Sequence, residues 1–177
     1  MYETRHRFRE DLRELERQTL EEIDVVVAQL DQALAALLHV IRYVERIGAQ
    51  CANIAKLVPL SGNDPTTDQQ ILEAIERMGQ LTRRQVTQAK DTLKTRDVAL
   101  AKDLVSTDAG IGRLNRELFN RAVEIGDDIG VREWAMFMIL VARALERIAD
   151  NAVAIAEQTV FIVTGLFREF SDPSQLT

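Results

Sequence analysis

From Glu3 onward, apolar residues recur at three- and four-residue steps: Phe8, Leu12, Leu15, Ile23, Val26, Val27, Leu30, Leu34, Leu37 and Leu38, with Thr19 in the same series. Charged residues such as Arg9, Glu10, Arg13, Glu14 and Arg17 fill the other face. That period is an amphipathic helix. Nothing interrupts it before Pro59. Taken literally, one helix covers residues 4–57 and is on the order of 80 Å long. Few globular helices reach that length, so a break is expected near Ala35–His39.

Val58–Thr67 (VPLSGNDPTT) gathers Pro, Ser, Gly, Asn and Asp within ten residues and is the clear loop of the chain. Asp68 or Thr67 is placed to cap a second helix carrying Ile71, Ile75, Met78, Leu81, Val86, Ala89 and Leu93. That helix is expected to stop near Thr95–Asp97. Asp97 caps a third, with Val98, Leu104, Ile111, Leu114, Leu118 and Ile125 on its stripe. Gly110 and Gly112 lie inside it, where each costs about 1 kcal/mol against Ala, so a bend or a close helix contact is expected there. Gly126–Gly130 (GDDIG) ends it, and a last helix runs from about Arg132 to Thr164, stopped by Gly165.

Two segments echo each other. Val44–Ala55 (VERIGAQCANIA) returns as Leu145–Ala156 (LERIADNAVAIA), with Glu45 and Glu146 separated by 101 residues. Leu12–Arg17 (LRELER) returns as Leu72–Arg77 (LEAIER) at a spacing of 60. The second half therefore holds 41 more residues between its matching points, about one helix with its loop. The fold expected is all-α: tandem antiparallel three-helix bundles, the first lacking its middle helix. The boundaries expected are 1–58 for the first repeat, 59–67 for a linker, 68–170 for the second repeat and 171–177 for a polar tail.

Composition narrows the chemistry. Three prolines, eight glycines and 5% aromatics suit a helical chain. A net charge of −6 argues against a phosphate-backbone binder, which needs a basic face. The single cysteine, Cys51, cannot form a disulfide within the chain, and a reducing cytoplasm is the expectation. It is expected to be a small core residue beside Ile47 and Ile54. The charged start MYETRHRFREDL has no apolar region of a signal peptide. No unbroken apolar run approaches the roughly 20 residues of a membrane span; the nearest is Trp134–Ala142.

Three stretches resemble the PhoU family of phosphate-specific transport regulators. Ala144–Gly165 (ALERIADNAVAIAEQTVFIVTG) looks like that family's final helix, Val44–Leu57 (VERIGAQCANIAKL) like its counterpart in the first repeat, and Asp103–Glu124 like its middle helix. The opening RFREDLRELERQTL also fits. The resemblance implies a tandem pair of three-helix bundles and a cytoplasmic repressor of phosphate uptake. It further implies contacts with the ATPase of the phosphate ABC transporter and with a sensor histidine kinase. Homodimers and iron or zinc clusters are seen in that family.

The metal expectation rests on E/D-x-x-x-D pairs, which place two carboxylates on one helical face. Glu146 and Asp150 form one such pair. Glu45 is matched by Ala49, and Asp108 by Gly112, so the other two expected pairs each lack an acid. Asn53 has no equivalent, because Ala154 stands in its place. The candidate ligands are Glu146, Asp150, Glu45 and Asp108. The competing expectation is ion pairing of Glu146 with Arg143, Arg147 or a neighbouring helix. Arg46 and Arg147 are assigned to interhelical pairing. His6 and His39 form no E-x-x-H pattern, which argues against a ferritin-like di-iron oxidase. The Trp134, Met136, Phe137 and Met138 stretch suits core packing or an adaptable partner face.

No G-x-S-x-G, P-loop or dinucleotide fingerprint occurs, and an enzyme is not expected. Three functions are open on these grounds. A regulatory adaptor of phosphate uptake fits best. A carboxylate metal-binding bundle needs more intact acid pairs. A coiled-coil module is disfavoured by the loop at 58–67 and by the three-helix second half.

Overall fold

The computed structural model describes residues 2–61, 67–126 and 128–165, without the side chains of residues 2–5 and 105–109. Among the described residues every regular element is a helix. Helix α1 spans Tyr2–Leu57, a 3-10 turn follows at Val58–Ser61, then α2 at Gln69–Thr95, α3 at Val98–Glu124 and α4 at Ile129–Thr164.

Short oxygen side chains set the starts of the later helices. Asp68 accepts from the N–H groups of Gln70 and Ile71 at 3.1 Å, Asp97 from Ala99 and Leu100, and Asp128 from Val131. Each satisfies first-turn donors that have no partner within the helix. Asp128 starts α4 inside the GDDIG segment, three residues earlier than expected, because an Asx cap needs only the one carboxylate in front of the first turn. α2 ends at Arg96, which is left-handed at φ 56, with its N–H bonded to Thr92 O at 2.8 Å. α4 ends at Gly165, φ 69, where glycine carries no Cβ penalty.

The chain divides into two units, Met1–Leu37 and Leu38–Thr177. In the second, α2, α3 and α4 pack pairwise into an antiparallel three-helix bundle. One core cluster joins Ala89, Leu104, Ala152, Ile155 and Val160 with Val40 of α1, and Tyr43 and Ile47 pack against it. The other joins Ile71, Met78, Ile111, Leu114, Leu118 and Trp134. Through both clusters runs a column on α4: Ala135, Ala142, Ala149 and Ala156, seven residues apart, none more than 1% exposed. Side chains that small let the neighbouring helices approach α4 closely. Thr82 ties α2 to α4 by donating its hydroxyl to Leu145 O at 3.4 Å.

The first unit is the N-terminal part of α1. Its stripe is uncovered: Phe8 is 67% exposed, Leu15 60% and Leu30 59%. Arg17 bridges Glu14 and Glu21 along the opposite face. His6 pairs with Glu10 at 3.2 Å.

Several expectations are corrected. No break occurs at Ala35–His39; α1 is continuous there. The segment holds only Ala, Leu and His, and the first glycine of the chain is Gly48, so nothing in it opposes helix. Neither Gly110 nor Gly112 is required by a close helix approach. A Cβ at Gly110 would lie 3.8 Å from Leu81 Cδ1, and one at Gly112 would meet nothing within 4 Å. The stretch for which core packing or a partner face is expected divides between the two: Trp134 is buried, Phe137 and Met138 are half-buried and Met136 is exposed. Finally, α1 does hold a stretch suited by length and composition to cross a membrane. A window within His6–Ser61 averages a mean hydropathy of 1.5 and is 11% buried. Isolated acids such as Asp24 and Asp31 break the apolar runs there without cancelling them.

Candidate functional site

The LERIADNA segment lies midway along α4 and places Glu146 against α3. Asn115 donates its amide to Glu146 Oε2 at 3.0 Å, and Arg143 donates to the same oxygen at 2.5 Å. Glu146 is 23% exposed and Arg143 60%. Both partners stand one turn or one helix away, so the carboxylate is held by a cation and an amide. Asp150, one turn on, faces solvent, and Glu45 is exposed on α1. The side chain of Asp108 lies outside the described residues. Among those described, no three His, Cys, Asp or Glu side chains converge on a point. Among the described residues the pairing of Glu146 with Arg143 and Asn115 is the arrangement found. His39 is exposed and stacks on Tyr43, with ring centroids 6.5 Å apart. Arg46 lies over the same Tyr43 ring at 5.9 Å.

What the helices do build, within Leu38–Thr177, is a pair of grooves where the end of α1 meets the bundle. One, of about 410 Å³, runs between α1, α2 and α4. Ile47, Cys51 and Ile54 form one wall, Gly79, Thr82 and Val86 the next, and Leu145 and Ile148 the third. Arg83 and Thr87 stand at its polar margin. The second groove, of about 420 Å³, separates α1 from α4. Lys56, Arg143 and Arg147 line it together with Gln50, Asn53 and Leu140. The first suits apolar side chains of a partner helix; the second suits an acidic surface beside it.

These grooves were missed at the level of sequence. Cys51 is exposed, not core. It does stand beside Ile47 and Ile54 as expected, but their shared face forms a groove wall. The signal was present in the four- and three-residue spacing of Ile47, Cys51 and Ile54. That spacing describes a groove wall and a core stripe equally well.

Residues 75–159, most of the α2–α4 bundle, match the family model described as the PhoU domain. A protein named phosphate-specific transport system accessory protein PhoU homolog, from Clostridium acetobutylicum, is 24% identical over 149 residues, covering 83% of this chain and 67% of that protein. PhoU homolog 1 of Mycobacterium leprae is 24% identical over 144 residues, 78% of this chain and 62% of that one. PhoU homolog 1 of Mycobacterium tuberculosis is 26% identical over 141 residues, 80% and 63%. The chain thus spans somewhat less than two thirds of the length of most of these relatives. No solved structure matches.

Proposed function

We propose, from the match of residues 75–159 to the PhoU domain, that the chain is an accessory regulator of a phosphate transport system that acts by helix-face contact. It restrains uptake when phosphate is plentiful by engaging the transporter's ATPase and the sensor histidine kinase on the cytoplasmic side. It performs no chemistry of its own. The match over the α2–α4 bundle carries this reading, because the relatives sharing that stretch are named for an accessory role in phosphate-specific transport.

The two grooves give the contact a physical form. An amphipathic partner helix would bury apolar side chains against Ile54 and Leu145, while its acidic flank meets Lys56, Arg143 and Arg147. Removing apolar surface from water supplies the affinity, and the three cations orient the partner.

The test is complementation in a host deleted for its own accessory protein. Expression of this chain should restore repression of phosphate uptake, and the ATPase or the kinase should be captured with it. Ile54→Glu should lose both effects while leaving the thermal melt of the bundle intact. Unrepressed uptake with the unaltered chain would exclude the proposal.

A further inference from the structure

The repeated motif is covered on both sides in one copy and on one side only in the other. VERIGAQCANIA of α1 and LERIADNAVAIA of α4 align at an offset of 101, so each residue of the first has a counterpart in the second. One side is used alike in both. Val40 and its counterpart Val141 are buried, and Ile47 is half-buried where Ile148 is buried. The other side differs. Ala142, Ala149 and Ala156 are fully buried among residues of α2 and α3. Their counterparts Ile41, Gly48 and Ala55 are exposed, Ile41 by 62%. Leu145 packs against the core, whereas Val44 is 55% exposed. Ile139 does the same, whereas Leu38 is 66% exposed.

Leu38, Ile41, Val44, Gly48 and Ala55 stand in steps of 3, 3, 4 and 7, on one face of the helix. None of them lines either groove. A Cβ on Gly48 would meet nothing within 4 Å, so another backbone can come close there.

The covered copy shows what fits the bare one. Arg143 and Glu146 of α4 return as Arg42 and Glu45. Over that side of α4 lies α3, whose Ile111, Leu114 and Leu118 join the cluster of Ala142 and Ala149, and whose Asn115 reaches Glu146 at 3.0 Å. Glu45 is exposed beside the bare face. A helix fit to cover α1 therefore carries aliphatic residues spaced as 111, 114 and 118, and an amide or a cation where Asn115 stands.

The α3 of a second copy cannot serve, because Ile111 and Leu118 are 1% exposed and spent inside their own bundle. Area points the same way. From Leu38 to Ala55 the face is about 26 Å long. One helix laid on it buries on the order of 1,000 Å² in total, the size of a transient contact and less than a permanent dimer needs.

We propose that residues 38–55 of α1 are a docking face for a single helix of another protein, antiparallel to α1, aliphatic on its inner side and with an amide or a cation opposite Glu45. The partner helix does for α1 what α3 does for α4. The face takes any helix of that chemistry, within phosphate transport or outside it.

The probe is a fluorescein-labelled peptide with the sequence of residues 98–125, added to the intact chain and followed by anisotropy. It should bind with a dissociation constant of about 10–100 μM. Val44 is exposed, so Val44→Glu should leave the melt of the bundle unchanged. It sets an unpaired carboxylate in the contact and should weaken binding at least about tenfold. Asn115→Glu in the peptide should weaken it as well, by facing Glu45, and Glu45→Lys in the chain should restore it. No binding at about 1 mM peptide, or a failure of Glu45→Lys to restore it, would overturn the proposal. So would binding indifferent to Val44→Glu, which would mean that the peptide exchanges into the α2–α4 bundle. A species of twice 20.0 kDa that Val44→Glu reduces to monomer would overturn it by giving the face to a second copy. Flotation with phosphatidylcholine–phosphatidylglycerol vesicles that Val44→Glu abolishes would overturn it by giving the face to lipid.

Discussion

Arg121 of α3 grips the carboxylate that caps α2: its Nη2 lies 2.7 Å and its Nε 3.2 Å from Asp68 Oδ2. The other oxygen, Oδ1, holds the N–H groups of Gln70 and Ile71. One acid thus starts a helix and fastens it to its neighbour. Asp68 is 12% exposed, so it is shielded from water more than a surface pair. Its carboxyl sits below the usual carboxylate range, first because of Arg121 and then because of the two backbone bonds, with burial opposing both.

The sign of the pH dependence follows. A depressed folded-state pKa contributes stability that is fully present above the unfolded value of about 3.9 and is lost as pH falls through the folded value. Asp68→Asn keeps a capping oxygen but loses the charge. It should cost up to about 1 kcal/mol at neutral pH and make stability less steep in acid. Asp68→Ala should cost about 1 kcal/mol more, because the cap goes too. Urea titrations at pH 7 and pH 3 check both; equal stability of the Asn and Ala variants would remove the cap from the account.

The alanine column predicts intolerance of bulk. Ala149 is fully buried among residues of the α2–α4 core. Ala149→Leu adds three carbons where helices touch and should destabilise by roughly 1–3 kcal/mol or more. Calorimetry reads this directly. A melt unchanged by the leucine would mean that the interior has spare room.

Two substitutions should stabilise. Gly112 is helical with open space around its missing Cβ, so Gly112→Ala should raise stability by roughly 0.4–1 kcal/mol. Arg96 adopts φ 56 at the end of α2, a conformation glycine adopts without Cβ strain. Arg96→Gly should gain about 0.5–1 kcal/mol for that reason. A loss of stability in either variant would show that the native side chain, or its absence, serves a contact with something else.

Metal addition should have no effect on the melt. Glu146 is occupied by Arg143 and Asn115, and no third ligand converges with it among the described residues. Zinc or ferrous iron in modest excess is expected to shift the melting temperature by less than about 1 °C, since only binding to the folded state would raise it. A rise of several degrees that vanishes in a Glu146→Gln, Asp150→Asn double variant would place a metal on that pair after all.

Much of the fold was readable because its punctuation is local. Asp68, Asp97 and Gly165 each act within one turn of themselves, and a single sequence carries that information. The continuity of α1 was misjudged on length, although Ala35–His39 contains no residue that ends a helix. The alanine column was equally visible, at positions 135, 142, 149 and 156, but alanine weighs little in a search for apolar stripes. The site was less legible. Periodicity shows that Ile47, Cys51 and Ile54 share a face; whether that face is core or groove depends on how far α2 and α4 stand from it. The same limit applies to Glu146, whose partner Asn115 is 31 residues away in sequence and on another helix.

The alanine column also bears on how α4 is located along its own axis. Methyl groups repeating every seven residues, about 10.5 Å, present the same shallow profile at each interval. Such a surface resists rotation of the helix but offers little obstruction to translation, as a smooth rail guides a carriage without stopping it. The stops are the irregular parts: the indole of Trp134 seated in one cluster, Ile155 and Val160 in the other, and the Asp128 cap at the end. Axial position in this bundle is thus held by side chains other than the alanines, among them Thr82 and Asn115, which bond to Leu145 O and Glu146 midway along α4.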